Sequence, residues 1–314
     1  MATSVPFSHS ADADKRIGMI VMCLAMALLP VGDAISKSLT AVISPFEVTV
    51  LRAVVQALFF LPVAYALRRH MSGPVFTVHS LISAVLIVTL TFSLITAFSV
   101  MPIATAIAIF FLEPLVLTVL AGVLLGEVPG PRRFAAVGVG LIGALIVIRP
   151  NFSEFGPVVL LPLLGAFAYA LNMIVLRKAT RRQSALSFQF GASLCAAGLL
   201  IVLEAGRVAS GAGLAGIAAM PGWAVWLLLG AGALATVTFL LITFAFSKVE
   251  ASVLAPFQYL EIVGATAVGF LVFGEFPDAI TLFGTSIILA SGAYVFHRER
   301  KRDLELAAAR PAKR

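Results

Sequence analysis

Two glutamates, Glu113 and Glu261, each stand near the middle of a long apolar stretch, flanked on both sides by Leu, Ile, Val and Phe. A carboxyl group so placed can bind a cationic or hydrogen-bonding part of a small molecule, or take up and release a proton. The plain alternative is a structural carboxylate paired across a helix bundle. An ionisable residue at the centre of a membrane helix costs about 2.5–3.5 kcal/mol on insertion scales, so it is held against a partner or a cavity. Beside Glu261, the residues Phe257, Gln258 and Tyr259 supply a ring, an amide and a phenol within about a turn, and Phe257 shares a helix face with Glu261. That set suits a flat ligand with polar edges; interhelical hydrogen bonding without a ligand explains it equally well. Arg52 is the one arginine well inside an apolar stretch, and a guanidinium does not give up its charge, so it requires a partner. Asp33, Glu47 and the central carboxylates qualify, and the roles open to Arg52 are a gate, a counter-ion for Glu261 or a site for an anionic substrate group. Asp33 and Lys37, four apart on one helix face, can pair with each other and read as a polar face at the outer mouth of the first span. Tyr169, Asn172, Thr89, Ser93 and Thr96 can line a cavity, although such hydroxyls often bond to neighbouring helices. Pro114 follows Glu113 directly and removes an amide while crowding the carbonyl one turn back, so a kink beside the carboxylate is expected; Pro256 stands just ahead of Gln258.

The elements that position these residues follow from composition. With 61% hydrophobic and 12% charged residues and a mean hydropathy of +1.06, the chain has too little polar surface to wrap a water-soluble globule of 314 residues. Lipid must solvate most of it. Charge clusters, Gly/Pro turns and polar loops divide it into apolar spans near 17–38, 46–66, 79–98, 103–123, 134–149, 157–176, 186–204, 223–245, 251–272 and 279–297. These approach the ~20 residues that cross a ~30 Å hydrocarbon core, and without an alternating pattern of short strands the helix is the backbone form that satisfies its own hydrogen bonds there. The expected fold is an all-α integral membrane protein of ten transmembrane helices.

Net charge is +7, yet the basic residues lie in short clusters between spans rather than in one stripe, which argues against nucleic acid. With the N-terminus inside, every Lys and Arg except Lys37, Arg52, Arg149 and Arg207 falls on the cytoplasmic side, as membrane topology favours. Both termini are therefore expected in the cytoplasm. Cys23 and Cys195 lie within spans and read as packing residues.

Two segments read alike. Glu113, then Gly126-Glu127-Val128-Pro129, parallels Glu261, then Gly274-Glu275-Phe276-Pro277, at a constant offset of 148 residues. Glu127 and Glu275 read as turn residues. Five spans per half is an odd number, so the halves enter the membrane in opposite senses. Such inverted-topology repeats build alternating-access carriers, with substrate near the midplane. The expected division is a cytoplasmic segment 1–16, a first repeat 17–150, a second repeat 151–297 and a basic tail 298–314.

The run Asp33-Ala34-Ile35-Ser36-Lys37, then Pro45-Phe46-Glu47 leading to Leu51-Arg52, and the repeated Gly-Glu-x-Pro turns resemble the drug/metabolite transporter superfamily, specifically its ten-span EamA-type carriers. The stretch Ala255 to Glu261, with Gly274 to Asp278, looks most like the branch containing S-adenosylmethionine and riboflavin uptake carriers. The resemblance implies a basket of helices around a central cavity in a bacterial-type inner membrane, carrying a small organic metabolite without a cofactor. Protons are a possible coupling ion, no oligomer is required, and export of amino acids or drugs is the alternative. His9, His70, His79 and His297 are too scattered for a metal site, and no phosphate-cradling Gly-rich loop ending in Lys-Ser or Lys-Thr occurs, so an intramembrane enzyme or an ATP-driven pump is disfavoured.

Overall fold

A computed structural model describes residues 8–125, 131–211, 213, 220–249, 254 and 257–308. These residues form α1 (Ser8–Thr40), α2 (Pro45–Ala66), α3 (Val78–Phe98), α4 (Ile103–Phe110), α5 (Glu113–Leu125), α6 (Pro131–Phe155), α7 (Leu161–Ala179), α8 (Ala185–Ala209), α9 (Gly222–Lys248), α10 (Leu260–Phe273) and α11 (Ala279–Ala308), with no strand among them. The fold is all-helical. Seven of the described helical runs are long and apolar enough to cross a membrane, and Leu260–Phe273 and Ala279–Val295 are shorter apolar helices.

Most starts match the sequence reading to within a residue, and those of α2, α3 and α8 carry side-chain caps. Ser44 precedes Pro45 at the head of α2, where the Glu47 amide donates to Ser44 Oγ (3.3 Å) and the Ser44 amide donates back to Glu47 Oε2 (2.9 Å). This reciprocal capping box satisfies two amides that the helix itself leaves unpaired. Thr77 and Ser184 cap α3 and α8 more simply, their hydroxyl oxygens accepting from the Ser80 and Ser187 amides. The spans expected at 134–149 and 157–176 run together as one apolar stretch, Ala135–Ala179, interrupted at Gly156. There φ is +68°, a left-handed conformation that glycine tolerates, and a 3₁₀ segment Gly156–Leu160 leads into α7. The span expected at 103–123 is split into α4 and α5 at Phe111–Leu112.

Helices α6 and α11 pack together, α1 lies against α9 and α10, and α3 against α7 and α8. Helix α2 meets α8 and α9, while α4 meets α7 and α10. The largest buried cluster joins Ile107, Leu112 and Leu115 to Val147 of α6, Ile262 of α10 and Ile288 of α11. Large apolar side chains also cover the outside: Trp226 is 76% exposed and Leu271 79%. That distribution suits a hydrocarbon solvent. Helices α6 and α11 approach at Gly143 and Gly284, where a methyl on Gly284 would lie 2.8 Å from the Gly143 carbonyl oxygen and 2.7 Å from a Val147 methyl. Small residues permit such backbone proximity in membranes. Gly284→Ala is therefore expected to destabilise the bundle by about 1–3 kcal/mol, the usual cost of overpacking, seen as a lower melting temperature in detergent.

Candidate functional site

Pro114 has no N–H, so the Phe110 carbonyl lacks the donor that a continuous helix would bring to it. The chain answers with a break: the Leu112 amide donates to the Ile109 carbonyl (3.1 Å), three residues back, and the Leu115 amide to the Leu112 carbonyl (3.0 Å). Helix α5 starts afresh at Glu113, with the carboxylate in its first turn. A corresponding interruption falls at Tyr259, 148 residues after Phe111, and α10 starts with Glu261 in its first turn. There the Ile262 amide donates to the Tyr259 carbonyl at 3.3 Å. In both places a carboxylate meets the positive end of a helix dipole, a favourable arrangement typically worth 0.3–1 kcal/mol. The threonines that follow at the same offset make matching bonds, Thr118 Oγ1 to the Pro114 carbonyl (2.9 Å) and Thr266 Oγ1 to the Ile262 carbonyl (2.8 Å).

The two breaks meet. The rings of Phe111 and Tyr259 lie 5.6 Å apart, centroid to centroid, and Phe110 stands edge-on to Tyr169 of α7 at 5.8 Å. Tyr169 lies near the carboxyl groups of both Glu113 and Glu261, and Tyr259 near that of Glu113. Glu261 in turn lies near Asp33 of α1, and Asp33 near Arg52 of α2. Six of the residues singled out from sequence therefore converge: Asp33, Arg52, Glu113, Tyr169, Tyr259 and Glu261. Arg52 Nε is buried and donates no hydrogen bond among the described residues. Three carboxyl groups and one guanidinium, with four aromatic rings beside them, can hold a molecule that carries both charges and a flat apolar part.

Other expectations are redirected. Lys37 does not pair with Asp33. Its Nζ donates to both Glu275 oxygens (2.6 and 2.7 Å) and to the Met101 carbonyl (3.0 Å), because the loop after α10 delivers a carboxylate closer than the one a turn away. Glu275 is thus more than a turn residue; Glu127 lies outside the described residues, as does Pro256. Glu47 is taken by the α2 cap, so it is not the counter-ion of Arg52. Asn172 accepts a hydrogen bond from Ser83 Oγ at 2.6 Å and ties α7 to α3. Phe257 packs against the cluster of Met22, Ala25 and Met26, and Gln258 is half-buried just ahead of the second break. Thr89 and Thr96 bond to carbonyls of their own helix. Phe110 escaped the sequence reading; its position directly ahead of the break beside Pro114 was the available signal.

Comparison with known proteins shows what the chain is similar to. An S-adenosylmethionine uptake transporter of Rickettsia prowazekii is 28% identical over 90% of this chain and 94% of its own length. A riboflavin transporter of Rhizobium johnstonii is 28% identical over 67% of each chain. One crystal structure superposes with a TM-score of 0.58 at 18% identity, covering 90% of this chain and 97% of its own, which establishes a shared fold. The EamA-like transporter family model matches residues 16–149 and again residues 156–296, and together the two matches take in most of the chain. This chain belongs to the EamA-like transporter family and is a multi-pass membrane transporter, not an enzyme.

Proposed function

We propose that the protein is a ten-span, inverted-repeat carrier that takes up a cationic or zwitterionic metabolite of the S-adenosylmethionine type. Several observations support the ten-span reading. A continuous helix over the 45 residues of Ala135–Ala179 would be about 68 Å long at ~1.5 Å per residue, more than twice the hydrocarbon thickness, so this run, broken at Gly156, makes two crossings. Counting the two shorter apolar helices brings the total to ten. The helix contacts also follow a two-fold exchange of halves. If α1 corresponds to α7 and α3 to α9, the α1–α9 contact maps onto the α7–α3 contact, while α6–α11 and α2–α8 each map onto themselves. The repeats are taken as 17–150 and 151–297, in keeping with the double family match. Charge distribution favours a bacterial-type inner membrane with residues 1–16 and the tail 298–314 in the cytoplasm.

The substrate class rests on Arg52. A buried donor without a partner costs about 1–3 kcal/mol, and a substrate carboxylate accepting from Arg52 Nε removes that cost. Asp33, Glu113 and Glu261 then exceed the single guanidinium in charge and suit an ammonium or sulfonium, while Phe110, Phe111, Tyr169 and Tyr259 offer ring faces to a heterocycle and to the cation. S-adenosylmethionine carries a carboxylate, two cationic centres and an adenine. Riboflavin has no carboxylate for Arg52 and no cation for the glutamates. Proton uptake at Glu113 or Glu261 would couple transport to the proton gradient. A single chain contains all of these groups. In membrane vesicles, radiolabelled S-adenosylmethionine is expected to accumulate and riboflavin to compete weakly. Equal uptake of riboflavin, unaffected by Arg52→Gln, contradicts the assignment.

A further inference from the structure

Lys37, one turn beyond Asp33 on α1, is held by three separate elements. Its Nζ donates to both oxygens of Glu275 in the α10–α11 loop and to the Met101 carbonyl in the α3–α4 turn, and it lies 5.1 Å from the centre of the Phe273 ring. The Lys37 side chain is 13% exposed and that of Glu275 28%. Glu275 is fixed to α10 by a left-handed cap: Gly274 has φ +70°, the Gly274 amide donates to the Phe270 carbonyl (2.9 Å) and the Glu275 amide to the Gly269 carbonyl (3.1 Å). Two helices that contribute charge to the site, Asp33 on α1 and Glu261 on α10, are therefore clasped at the same mouth by a lysine and a carboxylate 238 positions apart.

We propose that Lys37 and Glu275 form the latch that closes the mouth at the C-terminal end of α1, the outer one in the charge-based orientation, and that it must release for substrate to pass there. This rests on the carrier reading above. The geometry separates a latch from a general packing contact. The pair is charged on both sides, it crosses between the two sequence halves, and its third partner is a backbone carbonyl in the α3–α4 turn. Helix α1 transmits the state of the site, because Asp33 and Lys37 lie on one face a turn apart.

The test uses hydrogen exchange and reversible cross-linking on the full-length carrier in nanodiscs. Lys37→Gln and Glu275→Gln are each expected to speed amide exchange in residues 35–43 and 99–104 by about fivefold, the size of a modest coupling between groups. The swap Lys37→Glu with Glu275→Lys is expected to return it to the original rate. With Cys23 and Cys195 changed to Ser, a short thiol-specific linker between Lys37→Cys and Glu275→Cys is expected to stop uptake, and reduction to restore it. Unchanged exchange in both single variants, failure of the linker to join the two positions, or full uptake by the cross-linked carrier overturns the latch. Exchange rates do not depend on which metabolite is carried, so failure of the substrate assignment leaves that measurement decisive. Loss of the latch with intact S-adenosylmethionine uptake leaves the function in place.

Discussion

Glu261→Gln is expected to leave a folded carrier that no longer accumulates its substrate. The amide matches the carboxylate in size and can stand at the head of α10, so Tyr259, Ile262 and the packing behind them are retained. What disappears is an ionisable carboxyl group near Asp33 and Tyr169. A hydrogen bond to a charged group is worth about 1.5–3 kcal/mol, so apparent affinity for a cationic substrate should fall by about 10–150-fold, with an unchanged melting temperature in detergent. If the carboxyl group instead serves proton coupling, exchange of labelled for unlabelled substrate survives while accumulation against a gradient fails. Flux and accumulation both at wild-type level would remove Glu261 from the mechanism.

The second large effect concerns Arg52 and Asp33. Replacing Arg52 by Met leaves the buried Asp33 carboxylate without its neighbouring cation, and stranding one member of a buried charge pair typically costs about 3–5 kcal/mol. Arg52→Met alone is expected to melt many degrees lower or fail to insert. Combined with Asp33→Asn, which removes the stranded charge, it is expected to recover most of the lost stability but not uptake. A double variant no more stable than the single one would mean that the two residues do not compensate each other.

How much of this was visible in sequence depends on the range over which each interaction is decided. Helix heads such as Pro45, Val78 and Ala185 fell within a residue of the expected positions, because the side chains of Ser44, Thr77 and Ser184 act on the few amides that follow them. Pro114 announced the α4–α5 break for the same reason. The capping box of Ser44 and Glu47 was equally legible as Ser-x-x-Glu, and reading it would have withdrawn Glu47 from the partners of Arg52. Lys37 shows the opposite case. Spacing along one helix favoured Asp33, whereas the observed carboxylate comes from the far end of the chain, and only the packing of α1 on α10 brings it there. Asn172 likewise met Ser83 because α3 and α7 are neighbours, a fact that hydropathy does not encode.

The break beside Glu113 carries a consequence for how the carrier rests between cycles. In a machine made of two exchanged halves, its two end shapes would be equally populated if the halves were chemically identical. They are not: the position 148 residues after Pro114 is Ile262, which retains an amide and uses it on the Tyr259 carbonyl. Position 114 therefore has no amide to donate, whereas the second break retains the one at Ile262. A preference of ~1.4 kcal/mol arising from this difference would make one end shape ten times more abundant than the other. On the two-repeat carrier reading proposed above, such an imbalance would give the empty carrier a preferred resting side.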